Sequence, residues 1–356
     1  MSSHLQKLRQ KIDRIDQQIV KMINERTEIA LEIGKEKLSS RQNIYSPERE
    51  MTVYQNILNG NKGVLGQTSL KAIFREIMSA ALCAEKGLRI AYLGPMATFT
   101  HQASIQKFGS SVEYLPTDSI ADVFLEVEKG NVDYGVVPIE NTTEGAVTYT
   151  LDMFANSEVK ICSEVYLKIS HCLLSKSPLD KIQKVYSVPQ VFGQCRIWLR
   201  NHLPKADQVE VSSTAKAAET ASREARSAAI GSCLAGNYYP LKLLAEDIQD
   251  FSKNITRFLV IGQHAAKRTG RDKTSILFSV KDKVGALYEA LLPFKKNRIN
   301  LTKIESRPSK KKAWEYYFFV DLIGHQDDEA VKHSLKTLGN HCNFLKILGS
   351  YPFIRE

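Results

Sequence analysis

Three modules of different class are predicted for these 356 residues: an all-helical segment, a two-lobed α/β segment, and a small α+β segment of βαββαβ order. Three observations predict it. The N-terminal stretch carries an apolar repeat stepped by three and four, with no strand pattern. At Leu88 the texture changes, and short apolar runs begin to alternate with helical stretches. The C-terminal stretch then reads strand–helix–strand–strand–helix–strand within about 80 residues. The boundaries drawn are 1–87, 88–264 and 274–356.

The helical elements come first. Leu5, Leu8, Ile12, Ile15, Ile19, Met22, Ile29 and Ile33 form one stripe along a helix of more than thirty residues. So long a seam predicts helix-on-helix association, between protomers as well as within one. Ser46-Pro47 supplies an N-cap and a proline at the first helical turn of a short second helix ending near Leu58. The run Asn59-Gly60-Asn61-Lys62-Gly63 is a loop. A third helix runs from about Ser69 to Lys86, with Leu70, Phe74, Ile77, Met78 and Ala81 inward.

In the second module, strands are expected at Leu88–Leu93, Asp133–Pro138, Lys184–Val188, Ala228–Gly231 and Arg257–Ile261. Helices are expected at Val191–Leu203 and Thr214–Arg223. The alternation predicts mainly parallel sheets. The stretch Ala265–Lys273 reads as a polar linker. The third module then gives strand Ser275–Val280, helix Gly285–Lys295, strands around Leu301–Glu305 and at Trp314–Leu322, helix Asp328–Leu338 and strand Phe344–Ser350.

Composition narrows the function classes. No apolar run approaches the 18 or so residues of a membrane span, and the polar N-terminus lacks the apolar core of a signal peptide. A cytoplasmic protein is expected. Its six scattered cysteines form no CxxC pair and are expected to be reduced thiols, with neither metal nor cofactor implied. The net charge of +10 is concentrated at the two ends, while the middle is slightly acidic. Acids are interspersed and no nucleic-acid motif occurs, so the basic excess, including Lys310-Lys311-Lys312, is read as solvated surface rather than a nucleic-acid face.

The helical module has cations where a core should lie. Arg26 fills a gap in the apolar stripe, Lys37 sits about 20° away around the same helix, and Arg9 flanks the seam. Glu85 continues the inward face of the third helix. Buried charges are costly unless paired, so the set forms an internal ion-pair network, an exposed seam, or a pocket for a polyanion. The order Leu8-Arg9, Asp16, Glu25-Arg26, Gly34-Lys35-x-Lys37, Arg49-Glu50 resembles the helical chorismate mutases. That resemblance implies an intertwined homodimer with each site built from both chains. Arg9 of the partner subunit and Arg26 would hold the two carboxylates of chorismate. Lys37 would bond the ether oxygen, and Arg49 and Glu50 would position the side bearing the ring hydroxyl. Ser46 and Ala81 would line the site, departing from the family's usual Asp and small polar residue. Glu85 stands where some members have Gln, and it must be protonated to donate to the ether oxygen, which burial favours. The rearrangement needs a folded dianion and charge against the breaking bond, not a nucleophile.

Four segments of the second module lie in order: Gly94-Pro95-Met96-Ala97-Thr98-Phe99-Thr100, Pro138-Ile139-Glu140-Asn141-Thr142-Thr143-Glu144-Gly145, Tyr186-Ser187-Val188-Pro189-Gln190 with Gln194-Cys195, and Asn254-Ile255-Thr256-Arg257-Phe258. Three sit at or beside predicted strand ends, where α/β folds place ligands, although Ser187 and Thr142 could equally serve turns and caps. Together the four resemble the prephenate dehydratases. The resemblance implies two lobes around a cleft, as in periplasmic binding proteins. Thr256 would act at the leaving ring hydroxyl, with Thr98, Asn141, Thr142, Ser187, Gln194, Arg257 and Phe258 binding substrate. Ala97 replaces the usual glycine and is expected to alter that turn, and Val188 replaces a common histidine.

Val284-Gly285-Ala286-Leu287 and Asn300-Leu301-Thr302-Lys303-Ile304-Glu305-Ser306-Arg307-Pro308 resemble the ACT domains of feedback-regulated dehydratases. Gly285 either lets a carboxylate approach free N–H groups at a helix start or simply makes the turn into that helix. By resemblance, L-phenylalanine would bind between two such domains as an allosteric inhibitor, at Gly285, Ala286, Leu287, Asn300, Leu301, Glu305, Ser306 and Arg307. The implied function is conversion of chorismate to prephenate and of prephenate to phenylpyruvate. A dehydratase for prephenate or arogenate with an inactive mutase module, or a non-catalytic amino-acid sensor, are the alternatives.

Overall fold

A computed structural model describes residues 3–40, 43–251, 253–309 and 315–354. Its chain divides into two compact units: Met1–Leu88 with Phe108–Glu113, and Arg89–Lys107 with Tyr114–Glu356.

The first unit is helical: Ser3–Ser39, Pro47–Gly60 and Gln67–Lys86. Ser46 is the extended N-cap of the second helix, with Pro47 in its first turn, and Gly87 ends the third in the left-handed conformation. The face that the long helix turns toward the third helix carries Ile23, Arg26, Thr27, Ala30, Leu31, Gly34 and Lys37, all at least partly shielded. The apolar stripe does not lie there. Ile12, Ile15, Ile19, Ile29 and Ile33 are about half exposed and Met22 more so. The segment after Lys107 belongs to this unit: Ser110 donates from its N (2.8 Å) and Oγ (2.6 Å) to Glu76 Oε2, and the Phe108 ring meets Tyr45 edge-on.

The second unit holds three sheets. In the first, the strand order is Glu113–Thr117, Arg89–Leu93, Tyr134–Asn141, Ile255–Gly262, Lys160–Lys168, with Gly145–Ala146 attached to the third. The second runs Lys242–Ala245, Cys172–Ser175, Ser227–Gly231, Lys184–Ser187, Asp207–Glu210. Each has its own apolar core, which makes the two lobes.

The expectation of mainly parallel sheets is corrected. Ile255–Gly262 runs antiparallel to both its neighbours, and Cys172–Ser175 runs antiparallel to both of its own. The chain enters the second lobe and returns, so its last strand re-enters the first sheet from the opposite end. The expected helix Val191–Leu203 is two, Pro189–Gln194 and Arg196–His202, broken at Cys195 with ψ 16°. Thr214–Arg223 is a helix with Ser213 as its N-cap. Six free thiols are not found either. The register Cys172↔Gly231 carries Cys233 to Cys172, and the two are bonded with their Cα atoms 5.3 Å apart.

The third sheet, Leu301–Pro308, Tyr316–Ile323, Asp272–Val280, Cys342–Pro352, is antiparallel. Helices Ala286–Lys296 and Glu329–His341 pack on one face around Phe278, Phe294, Val320 and Leu335. The other face joins the core of the first lobe through Leu277, Phe319, Leu348 and Tyr351. Strand alternation allows both. Asp272 and Lys273, expected in a linker, open a buried strand instead. Lys310-Lys311-Lys312 lies outside the described residues. No described helix is long and apolar enough to cross a membrane.

Candidate active sites

In the helical unit, Arg26, Lys37, Arg49 and Glu85 influence one another electrostatically. Partial burial lowers the Arg26 pKa, the Arg49 charge lowers it further, and Glu85 opposes both. Burial raises the Glu85 pKa above the usual carboxylate range, against the pull of Lys37 and Arg26. The long helix can pass this carboxylate because residue 34 is glycine: a Cβ there would sit 3.1 Å from Glu85 Cγ and Oε2. Lys37 Nζ donates to Ile44 O at 2.6 Å, and Tyr45 Oη to Glu50 Oε2 at 2.6 Å, so the loop before the second helix is tied to the same place. Ser46 and buried Ala81 stand nearby in sequence on these elements. Arg9 does not join them. It lies 17 positions before Arg26 on one helix, about 25 Å along the axis.

In the second unit, a chain of polar side chains, amides and a hydroxyl with one carboxyl at Glu144, crosses from one lobe to the other. Asn141 Nδ2 donates to Thr256 Oγ1 at 2.7 Å and to Asn254 Oδ1 at 2.8 Å. Asn254 Nδ2 donates to Gln194 Oε1 at 3.1 Å, the same oxygen that meets His171 Nε2 at 2.7 Å. Gln194 Nε2 donates to Glu144 Oε1 at 2.9 Å. The Asn141 oxygen is held by Thr143 N and Oγ1 and by Glu144 N. Strand pairing sets Thr256 opposite Asn141, and Thr256 is 8% exposed. His171 is buried, which lowers its pKa, and its Nδ1 has no partner among the described residues.

The remaining expected residues divide. Thr142 Oγ1 accepts from Ile255 N and donates to Lys253 O, clamping the strand that carries Thr256. Ser187 Oγ is spent on Ile230 O, and Thr98 Oγ1 on Leu93 O and His101 N. Each of these three hydroxyls is thus held by backbone beside the site. Arg257 and Phe258 are corrected. Phe258 is a buried core ring, and the Arg257 guanidinium is engaged by Glu164, Asp321 and Tyr351. Adjacent strand residues point to opposite faces, so with Thr256 at the network Arg257 cannot be there. Asn254, His171 and Glu144 were missed as site residues; Asn254 and Glu144 stood inside the quoted segments. At this turn Ala97 adopts φ 68°, the left-handed conformation that favours glycine.

In the C-terminal domain Gly285 has φ 77° and caps its helix. It opens on a cavity of about 400 Å³ with Ala286, Leu287, Phe318 and Asn343. Asn300, Leu301, Glu305, Ser306 and Arg307 are not in this cavity's lining; all but Asn300 lie on the edge strand.

Three family models match in chain order: chorismate mutase type II over residues 8–86, prephenate dehydratase over 90–266, and the ACT domain over 274–340. The bifunctional chorismate mutase/prephenate dehydratase of Aquifex aeolicus is 52% identical over 98% of both chains. That of Stutzerimonas stutzeri is 45% identical over 99% of this chain and 98% of its own. The crystal structure of the Arthrobacter aurescens prephenate dehydratase in complex with L-Phe superposes with a TM-score of 0.70 at 34% identity, covering 75% of this chain and 90% of that one.

Proposed function

The chain belongs to the bifunctional chorismate mutases/prephenate dehydratases and carries both activities, and from that premise we propose how its residues divide the work. The division takes boundaries of 1–87, 88–264 and 274–356, where the family matches span 8–86, 90–266 and 274–340.

The mutase site is the cation set around Glu85. Arg26 holds one carboxylate of chorismate, and the partner subunit's Arg9 holds the other. Lys37 and a protonated Glu85 face the ether oxygen as its bond to the ring carbon breaks and the new carbon–carbon bond forms. Arg49 and Glu50 address the ring hydroxyl. The half-exposed stripe of Ile12, Ile15 and Ile19 supports a homodimer, since burying it against a second copy removes apolar surface from water and brings Arg9 into reach.

The dehydratase site is this hydrogen-bonded network, and the Asn141–Thr256 hydrogen bond carries this reading. Asn141 donates to Thr256 Oγ1, so the threonine's own proton points elsewhere and serves the ring hydroxyl of prephenate. That oxygen leaves as water after taking the proton, and a proton from solvent restores the Thr256 hydroxyl. The ring carboxylate leaves as carbon dioxide, and its bonding electrons complete the aromatic ring. Gln194, Asn254 and His171 orient the substrate without adding charge.

L-Phenylalanine inhibits from the C-terminal domain, its carboxylate at the Gly285 helix start and the rest against the edge strand Leu301–Pro308 of a second copy. A cytoplasmic location accords with this biosynthetic role. The test of the whole reading is a supply experiment. Given chorismate, the enzyme releases phenylpyruvate through prephenate; given prephenate alone, it makes phenylpyruvate directly. Turnover of prephenate without turnover of chorismate would leave only the dehydratase assignment.

A further inference from the structure

Thr256 and Arg257 leave one strand on opposite faces, and so do Asn141 and Glu140 on the strand beside it. The register sets Thr256 opposite Asn141 and Arg257 opposite Glu140. One face therefore carries the Asn141–Thr256 bond at 2.7 Å, and the reverse face carries Arg257–Glu140 at 3.5 Å. The charged pair lies directly behind the reactive one.

Arg257 is buried, and each guanidinium nitrogen has a partner. Nε donates to Glu164 Oε2 at 2.9 Å, Nη1 to Asp321 Oδ2 at 2.6 Å, and Nη2 to Tyr351 Oη at 2.9 Å. Lys273 Nζ donates to both Glu164 oxygens at 3.0 and 2.9 Å, and Lys303 Nζ lies 2.8 Å from Glu140 Oε2. Glu140, Glu164 and Arg257 belong to the dehydratase sheet. Lys273, Lys303, Asp321 and Tyr351 belong to the C-terminal domain. Neither side is neutral alone. The first has one carboxylate too many and the second one ammonium too many, and together they balance. Burial would lower the Arg257 pKa, but Tyr351, Asp321 and Glu164 outweigh it and keep the guanidinium charged.

A buried charge that loses a partner is heavily penalised. A shift of the C-terminal sheet that moves Asp321 or Lys303 must draw Arg257 and Glu140 along or leave a charge unpaired. Either outcome disturbs the two strands that hold Thr256 and Asn141. Lys303 sits on the strand between Leu301 and Glu305, and Arg307 on that strand reaches Asp152 of the first lobe at 3.3 Å.

We propose that the cluster centred on Arg257 is a positioning device, through which the C-terminal domain sets the Thr256–Asn141 pair from behind and phenylalanine binding reaches the dehydratase site. The inference rests on the Thr256 and phenylalanine assignments above, and its test separates from theirs. Full-length Asp321→Asn and Lys303→Met enzymes are compared with wild type for prephenate kcat and KM, chorismate turnover, phenylalanine affinity by calorimetry, and phenylalanine inhibition. Asp321→Asn is expected to lower the dehydratase kcat about tenfold with KM and chorismate turnover little changed. Lys303→Met is expected to bind phenylalanine as wild type does, yet to need about tenfold more for half-inhibition. A merely structural role would lower both activities together or leave inhibition tracking affinity, and either result overturns the proposal. If Asp321→Asn does not fold, Lys303→Met decides alone, because it removes only a pair at the cluster's rim. If phenylalanine fails to bind even the wild type, the sensor assignment falls. The Asp321→Asn kcat then decides the positioning role: a selective loss supports it and an unchanged value overturns it.

Discussion

The helical unit and the two-lobed unit handle anions of the same class in opposite ways. The site proposed in the helical unit uses cations: Arg26 and Lys37 act on the Glu85 carboxyl and Arg49 on Arg26, with a fourth, Arg9, about 25 Å away along the same helix. The two-lobed unit uses amides and hydroxyls joined in one chain of hydrogen bonds within a single protomer. Its strong charges lie on the reverse face of the strands, where they pair with one another. The difference follows the chemistry. A pericyclic rearrangement needs a dianion folded and its breaking bond polarised, which fixed charge achieves. Loss of a hydroxyl needs a proton at one oxygen, and that requires a donor aimed by its neighbours.

The comparison breaks most sharply at Thr256. Replacing it by alanine removes the proposed donor and is expected to cost the dehydratase about 10²- to 10⁴-fold in kcat. Chorismate turnover stays intact, so prephenate accumulates when chorismate is supplied. Retention of most phenylpyruvate production from prephenate would remove Thr256 from the mechanism.

A second break uses the incompleteness of the helical site. Arg26→Ala loses one charge-assisted contact and is expected to lower mutase turnover by about one to two decades. Arg9→Ala is expected to do the same, while both keep dehydrating added prephenate. The two dead variants should complement when their chains are mixed and allowed to exchange. Random pairing in a two-fold dimer gives roughly a quarter of the sites an intact Arg9 and Arg26. No recovery in the mixture would place Arg9 and Arg26 on the same chain's site.

These two units also differ in what could be read from residues alone. The helical unit was legible in its elements, because period and capping are local: Ser46-Pro47 starts its helix and Gly87 ends one. Where the apolar stripe points was not legible, since Ile15 and Ile19 look like core until a single chain shows them half exposed. In the second unit the quoted segments contained Asn141, Gln194 and Thr256, and these do converge. His171 and Gln194 meet across 23 positions with no local pattern to announce it. The antiparallel return of Ile255–Gly262 was hidden for the same reason, because alternation of strands and helices says nothing about which strand comes back. Arg257 was misplaced despite an available signal. Two neighbours on a strand cannot both face the ligand, so Thr256 and Arg257 were never compatible as joint contacts.

A finer contrast lies in pH. The dehydratase network asks no carboxyl to donate a proton, since Glu144 only accepts from Gln194, whereas Glu85 must be protonated to donate. Its pKa is raised by burial, against Lys37 and Arg26. The proton is present below that pKa and lost above it, so mutase kcat/KM should fall as pH rises through it, approaching about tenfold per unit. Glu85→Gln carries a donor at every pH and should flatten this limb. A wild-type profile already flat would show that Glu85 does not donate its proton.

The smallest effect concerns Ala97, buried beside the second lobe's core with φ 68°. Three terms set the outcome of Ala97→Gly. Relief of the left-handed conformation favours glycine by about 1–2 kcal/mol. Loss of a buried methyl costs about 0.8 kcal/mol, and the freer unfolded chain costs about 0.5–1 kcal/mol more. The terms nearly cancel, so stability in urea should change by less than about 1 kcal/mol, and prephenate turnover should not change. The Ala97 N–H donates to His101 Nδ1 at 3.1 Å, and burial holds the His101 pKa down at about 4. The acceptor therefore stays neutral and the turn stays closed in both variants. A loss above about 2 kcal/mol would exceed what one methyl can supply. It would mean that the alanine side chain orders the turn, and that this position is specified by packing where the family's usual glycine is specified by backbone.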